Sequence, residues 1–92
     1  MTNEAPTGTV EGVVVNVKAV SPKDVTGFSV RAASGQVFEF DLARLENPAA
    51  FPPEHLREHL ADGYPVVVRF VEESGTRYAL ELDDGTPPAR GG

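Results

Sequence analysis

Five consecutive residues, His55-Leu56-Arg57-Glu58-His59, carry the one pattern in this chain that matches a catalytic motif. Histidines four apart stand one turn above another on a helix. Their imidazoles can then reach a single zinc ion while the intervening glutamate acts as general base, as in H-x-x-E-H zinc hydrolases. Such a centre also needs a third protein ligand, and everything after His59 reads as strand and tail. The pattern is therefore read as two helix-surface histidines beside an apolar Leu56/Leu60 stripe. The pair His55 and His59 would pick up only adventitious zinc or nickel. No metal site and no cofactor is expected, and a metal-dependent hydrolase built on His55, Glu58 and His59 ranks third among the functions considered.

Other chemistry is excluded more directly. Ser29 and Ser74 have no His and Asp at a recognisable spacing, there is no Gly-rich phosphate loop, and Asp83-Asp84 reads as a solubilising strand end. With no cysteine in 92 residues, neither a disulfide nor a thiolate zinc site can form, which points to the cytoplasm. Met1 to Thr9 is polar and lacks a signal-peptide core. No run reaches the ~18 apolar residues that a membrane span requires, so neither export nor a membrane partner is expected. The net charge is −6, unevenly spread. Lys18, Lys23 and Arg31 outweigh Asp24 in residues 12–38, whereas residues 39–84 set eleven acids against Arg44, Arg57, Arg69 and Arg77. An acidic domain repels phosphate backbones at long range, which disfavours nucleic acid as a partner.

The elements that must position these residues form one small domain, since a chain of this length buries only about 60 to 70% of its unfolded surface. Residues 1–9 and 85–92, rich in Thr, Pro, Gly and Ala, read as disordered tails around a folded domain at 10–84. Val10 to Val20 is a β-branched strand with Val13, Val15, Val17 and Ala19 on one face and Val14, Asn16 and Lys18 on the other. Gly12 marks a bulge or bend near its start. Two hairpins follow the same plan, an alternating strand, a three-residue loop ending Ser-Gly, and a second alternating strand. Loops of this length put Val30 opposite Phe38 and Phe28 opposite Phe40 in the first. In the second they put Phe70 opposite Tyr78, Val68 opposite Leu80 and Val66 opposite Leu82. Gly35 and Gly75 are expected at positive φ to close them. Between the hairpins, Pro53 opens a short helix that Gly63 and Pro65 end near Asp62. Phe28, Val30, Phe38, Phe40, Val68, Phe70, Leu80, Leu56 and Leu60 make up the expected core.

The fold class is therefore mainly β, with five strands and one short α-helix between strands three and four. This order, carried also by Gly12-Val13-Val14-Val15, His59-Leu60-Ala61-Asp62-Gly63 and Leu82-Asp83-Asp84, resembles the OB-fold, a five-stranded Greek-key barrel. Within that class it is similar to small stand-alone bacterial OB-like domains with no assigned activity. The resemblance implies a binding surface on the outer face of strands two and three and the loop joining strands one and two. It places Lys18, Lys23 and Arg31 there as candidates for weak single-strand binding, the alternative function. No aromatic side chain faces outward on that surface to stack a base, and Glu39 and Asp41 oppose a phosphate backbone.

Val67, Val71 and Ala79 fall on the face opposite Val66, Val68 and Phe70. They form a possible partner patch unless Phe51 or a tail folds over it. The leading expectation is a non-enzymatic binding module, monomeric or weakly dimeric, that takes a protein or small ligand.

Overall fold

The computed structural model describes residues 7–21 and 24–85. Five strands, β1 (Thr7–Ser21), β2 (Asp24–Ala32), β3 (Val37–Asp41), β4 (Pro65–Glu73) and β5 (Thr76–Asp84), close into a barrel in the order β1-β2-β3-β5-β4. A 3-10 turn at Pro53–His55 leads into α1 (Leu56–Asp62), which lies between β3 and β5's partner β4 in sequence. All strand neighbours are antiparallel except β3 and β5, which meet in parallel through one bridge, Asp41 to Tyr78. The mainly β, five-stranded barrel with a single short helix is the expected fold class. No helix among the described residues is long and apolar enough to cross a membrane.

One long strand closes the barrel. The first half of β1 pairs with β4, from Thr7 opposite Val71 to Val13 opposite Pro65, and its second half pairs with β2. Gly12 belongs to both ladders. A Cβ there would collide with the carbonyl oxygen of Arg31 and with the Val30 side chain, so only glycine lets the strands approach closely enough for β1 to serve two walls. Thr7–Thr9, assigned to a tail in the sequence, are part of this strand. Residues 1–6 and 86–92 of the tails lie outside the described residues.

The expected face of β1 is corrected by a bulge. Val14 pairs with Val30 and Asn16 with Ser29, which leaves Val15 as the extra residue. The bulge shifts the alternation by one, so that Val10, Gly12 and Val14 point inward before it and Val17 after it. Val14 is 2% exposed rather than outward-facing.

The first hairpin has the expected register, Val30 opposite Phe38 and Phe28 opposite Phe40, with Gly35 at φ 92°. The second differs. Its loop has two residues, Ser74 and Gly75, both left-handed at φ 52° and 80°, in the pattern that matches the natural twist of a hairpin. Phe70 then faces Ala79, and Leu80 bulges out so that Val68 meets Leu82 and Val66 meets Asp84. Were Leu80 paired in a regular ladder, Leu82 would oppose Val67 on the outer face. The bulge thus does what the expected longer loop was to do. Gly75 has the positive φ expected of it, but within a different loop.

The core comprises Val14, Val25, Phe28, Val30, Phe40, Phe51, Leu56, Val66, Val68, Ala79 and Leu82. Phe38, Phe70 and Leu45 pack against it half-buried. Leu60, expected inside, is 43% exposed, and the inward stripe of α1 is Leu56 and His59 instead. Leu80 is likewise only half-buried because it is the bulge residue.

Beyond the single β3–β5 bridge, the free edge of β5 is covered by the connection rather than by a strand. The N–H of Glu46 donates to the carbonyl of the bulged Leu80 at 2.7 Å. The Asn47 amide donates to the Leu82 carbonyl at 2.9 Å and accepts from the Leu82 N–H at 3.1 Å, so one side chain imitates a paired residue. This fixes the path that delivers α1 to the end of β5.

Candidate functional site

Two regions bring reactive or binding side chains together. The first is a groove of about 540 Å³ where β3 and the tip of the β4–β5 hairpin splay apart on one side of their bridge. Lys18, Thr26, Glu39, Asp41, Thr76 and Arg77 give it donors and acceptors of both signs. The Lys18 ammonium lies 3.6 Å from Glu39, and the Arg77 guanidinium sits over the Phe38 ring at 5.1 Å. Val37, 52% exposed, forms part of the rim.

The structure does not bring together Lys18 and Arg31, two of the basic residues singled out in the sequence. Lys18 borders this groove and is held by an acid. Arg31 lies four residues along β2 from Gly27, the partner of Lys18, and lines a separate cleft with Glu11, Gly12 and Pro65. Lys23 lies outside the described residues. Nor does the apolar patch survive as drawn. Val67 and Val71 are half-buried on the outer side, but Ala79 is fully buried opposite Phe70, because the two-residue loop turns it inward. Phe51 does not lie over that patch; it is buried against the histidines.

The second region is built on α1. The helix holds His59 inward at 5% exposure, contrary to the surface position expected of it, and leaves His55 half-buried above it. The imidazoles meet edge to face at 4.8 Å, and Phe51 stacks on His59 at 5.6 Å while meeting His55 edge-on at 4.9 Å. Nδ1 of His59 lies 2.9 Å from the Tyr64 carbonyl oxygen, and Nδ1 of His55 lies 3.3 Å from a Glu58 carboxylate oxygen. The Tyr64 carbonyl can only accept, so Nδ1 of His59 is the donor.

The other nitrogens converge. Nε2 of His59 and of His55 lie 2.7 and 3.2 Å from the same oxygen, Oδ1 of Asp84 at the end of β5. A residue from the last strand therefore joins a histidine pair for which no later partner was expected. The Leu80 bulge and the Asn47 clamp bring it there. The hydrogen bond from His59 holds the Asp84 carboxyl below its ordinary pKa against the opposing effect of desolvation, and His55 adds to the lowering. Desolvation pulls the His55 imidazole down, but hydrogen bonds to Glu58 and Asp84 more than reverse it, so its pKa is raised. Glu58 is engaged with the Nδ1 side of His55, away from the point where the Nε2 atoms meet, and so is not placed as a general base there.

No signal in the sequence marks Asp84 or the Tyr64 carbonyl, since each is brought to the histidines by chain folding. Asn47 is equally unmarked within a breaker-rich connection, and Phe51 reads there only as a cover for the Val67, Val71 and Ala79 patch. No protein-family model matches the chain, and no curated protein and no solved structure matches it.

Proposed function

We propose that this protein is a non-enzymatic, OB-like binding module that takes an extended segment of a partner protein in the groove between β3 and the β4–β5 hairpin. The observation that carries the reading is the single β3–β5 bridge. Among the described residues, β3 from Val37 to Phe40 has no strand partner on the side facing Thr76 and Arg77. Alternate backbone N–H and C=O groups along such an edge can pair with an added strand, which gives affinity, while flanking side chains select sequence. The groove also coincides with the surface that OB-like barrels use for ligands, the face of strands two and three bounded by the loop between strands four and five.

Its charges favour a peptide over a nucleic acid. Glu39 and Asp41 face the groove, and Lys18 is already paired with Glu39. Basic and hydroxyl-bearing side chains complement this lining better than a chain of phosphates does.

The test is selection of a displayed random peptide library on the immobilised full chain, followed by titration of the selected peptides into wild type, Glu39→Lys and Thr76→Pro. Binding that weakens at least about tenfold in both variants, with NMR shifts centred on β3 and Thr76–Arg77, is expected. Peptides indifferent to both substitutions refute the site. Submicromolar affinity for labelled oligo-dT or oligo-U near 150 mM salt, lost when Lys18, Lys23 and Arg31 become Glu, would replace the reading with single-strand binding.

A further inference from the structure

We propose that His55, His59 and Asp84 form a binding site for one divalent transition-metal cation of the zinc type. With Nδ1 of His59 on the Tyr64 carbonyl oxygen and Nδ1 of His55 beside a Glu58 carboxylate oxygen, the Nε2 atoms of both rings lie against one carboxylate oxygen of Asp84, and each ring in its neutral form can offer a lone pair there. Either a shared proton or a metal cation can hold these three groups together. One metal ion satisfies all three at once.

The geometry suits such an ion. The three ligand atoms lie within 4.8 Å of one another. With metal–nitrogen and metal–oxygen bonds of about 2.0 to 2.2 Å, tetrahedral ligand atoms stand roughly 3.3 Å apart. The His59 ring is held by α1, by Phe51 and by the Tyr64 carbonyl oxygen, whereas His55 is half-buried and its ring can turn toward His59. Asp84 is exposed at a strand end and can draw back from its 2.7 Å approach to His59. Both histidines have the outer partners that metal-bound imidazoles use, a backbone carbonyl for His59 and a carboxylate for His55, which set the tautomer and strengthen the donor. Two imidazoles and one carboxylate favour zinc, cobalt or nickel over calcium or magnesium, which prefer oxygen shells.

Shallow clefts open on both sides of the cluster. One of about 420 Å³ lies toward Pro52 and Glu54, and one of about 250 Å³ lies toward Asp62 and Tyr64, so water can reach the remaining coordination position. The ion would join the start of α1 to the end of β5, segments 25 to 29 residues apart in sequence.

The test uses tag-free full-length protein stripped with a chelator and titrated with Co²⁺ and Zn²⁺. One equivalent of Co²⁺ should bind with visible d–d absorption and be displaced by Zn²⁺, and Zn²⁺ should raise the melting temperature. Asp84→Asn and His55→Ala lie outside the core, so circular dichroism should show both folded, and each should weaken Zn²⁺ binding at least about tenfold. His59→Ala removes a buried ring and is not relied upon. An affinity for Zn²⁺ unchanged in Asp84→Asn would reduce the site to an adventitious histidine pair and overturn the proposal. So would the absence of saturable binding at about 100 μM metal, an upper limit that corresponds to roughly −5.5 kcal/mol.

Discussion

The β2–β3 and β4–β5 hairpins both turn at Ser-Gly, yet they set their buried faces by different means. In the first, a three-residue loop with Gly35 left-handed feeds an unbroken ladder. In the second, Ser74 and Gly75 turn in two residues and the correction comes six residues later, at the Leu80 bulge. Loop length and bulge are interchangeable ways of bringing apolar side chains to one face, but they leave different by-products. The regular hairpin ends with an open edge on β3, which is where the groove lies. The bulged one turns a carbonyl outward for Glu46, anchors the connection to α1, and carries Asp84 to the histidines.

Deletions probe this contrast most sharply. Removing Ser29 places Phe28 and Val30 next to each other on opposite faces of a regular ladder, and the variant should show no cooperative unfolding transition. Removing Leu80 takes out the extra residue alone, so Ala79 and Leu82 keep their partners and the chain should still fold. Its loss should be limited to the Glu46 bond and the local bend. Urea unfolding followed by circular dichroism separates the two, and similar collapse of both would show that the bulge also sets the barrel's curvature.

Aromatic truncation comes next in size. Phe40 is buried between Phe28 and Phe70, with ring centres 5.3 Å from each, whereas Phe70 is half-buried. Phe40→Ala should cost about 3 to 5 kcal/mol in chemical denaturation, and Phe70→Ala about 2 kcal/mol. Equal losses would mean that the second hairpin bears as much of the core as the first.

The smallest effect discriminates the loops themselves. Ser74 is the only described non-glycine residue at positive φ, so Ser74→Asn should stabilise by about 0.5 kcal/mol, because asparagine tolerates that conformation. The same change at Ser34 should be neutral. A gain at Ser34 instead would contradict the assignment of loop types.

Much of the barrel is legible in the sequence wherever polar and apolar residues alternate without ambiguity. Phe28, Val30, Phe38 and Phe40 admit one register because Ser29, Arg31 and Glu39 cannot take their places. Bulges leave no such mark when both parities are apolar. Val13-Val14-Val15 and Tyr78-Ala79-Leu80 read equally well in either phase, and only the neighbouring ladders select one. The helix shows a related ambiguity. Leu60 lies one turn from Leu56, but His59 is the residue whose ring packs on Phe51 and whose nitrogens find partners in Tyr64 and Asp84, so the helix turns that side inward. Two of the three residues of the candidate metal site are therefore visible as a pair of histidines, and the carboxylate is not, because long-range pairing, not local spacing, puts Asp84 beside them.

The Asn47 clamp has a consequence for how the molecule ages. Asparagines deteriorate mainly when the backbone nitrogen of the next residue attacks the side-chain amide and converts it to an acid. At this position the next residue is Pro48, which has no N–H to open that reaction. The side chain that stands in for a strand against Leu82 is thus also shielded from the commonest route to losing its donor, so the closure between the connection and β5 is lost more slowly than a clamp built on an Asn-Gly pair would be.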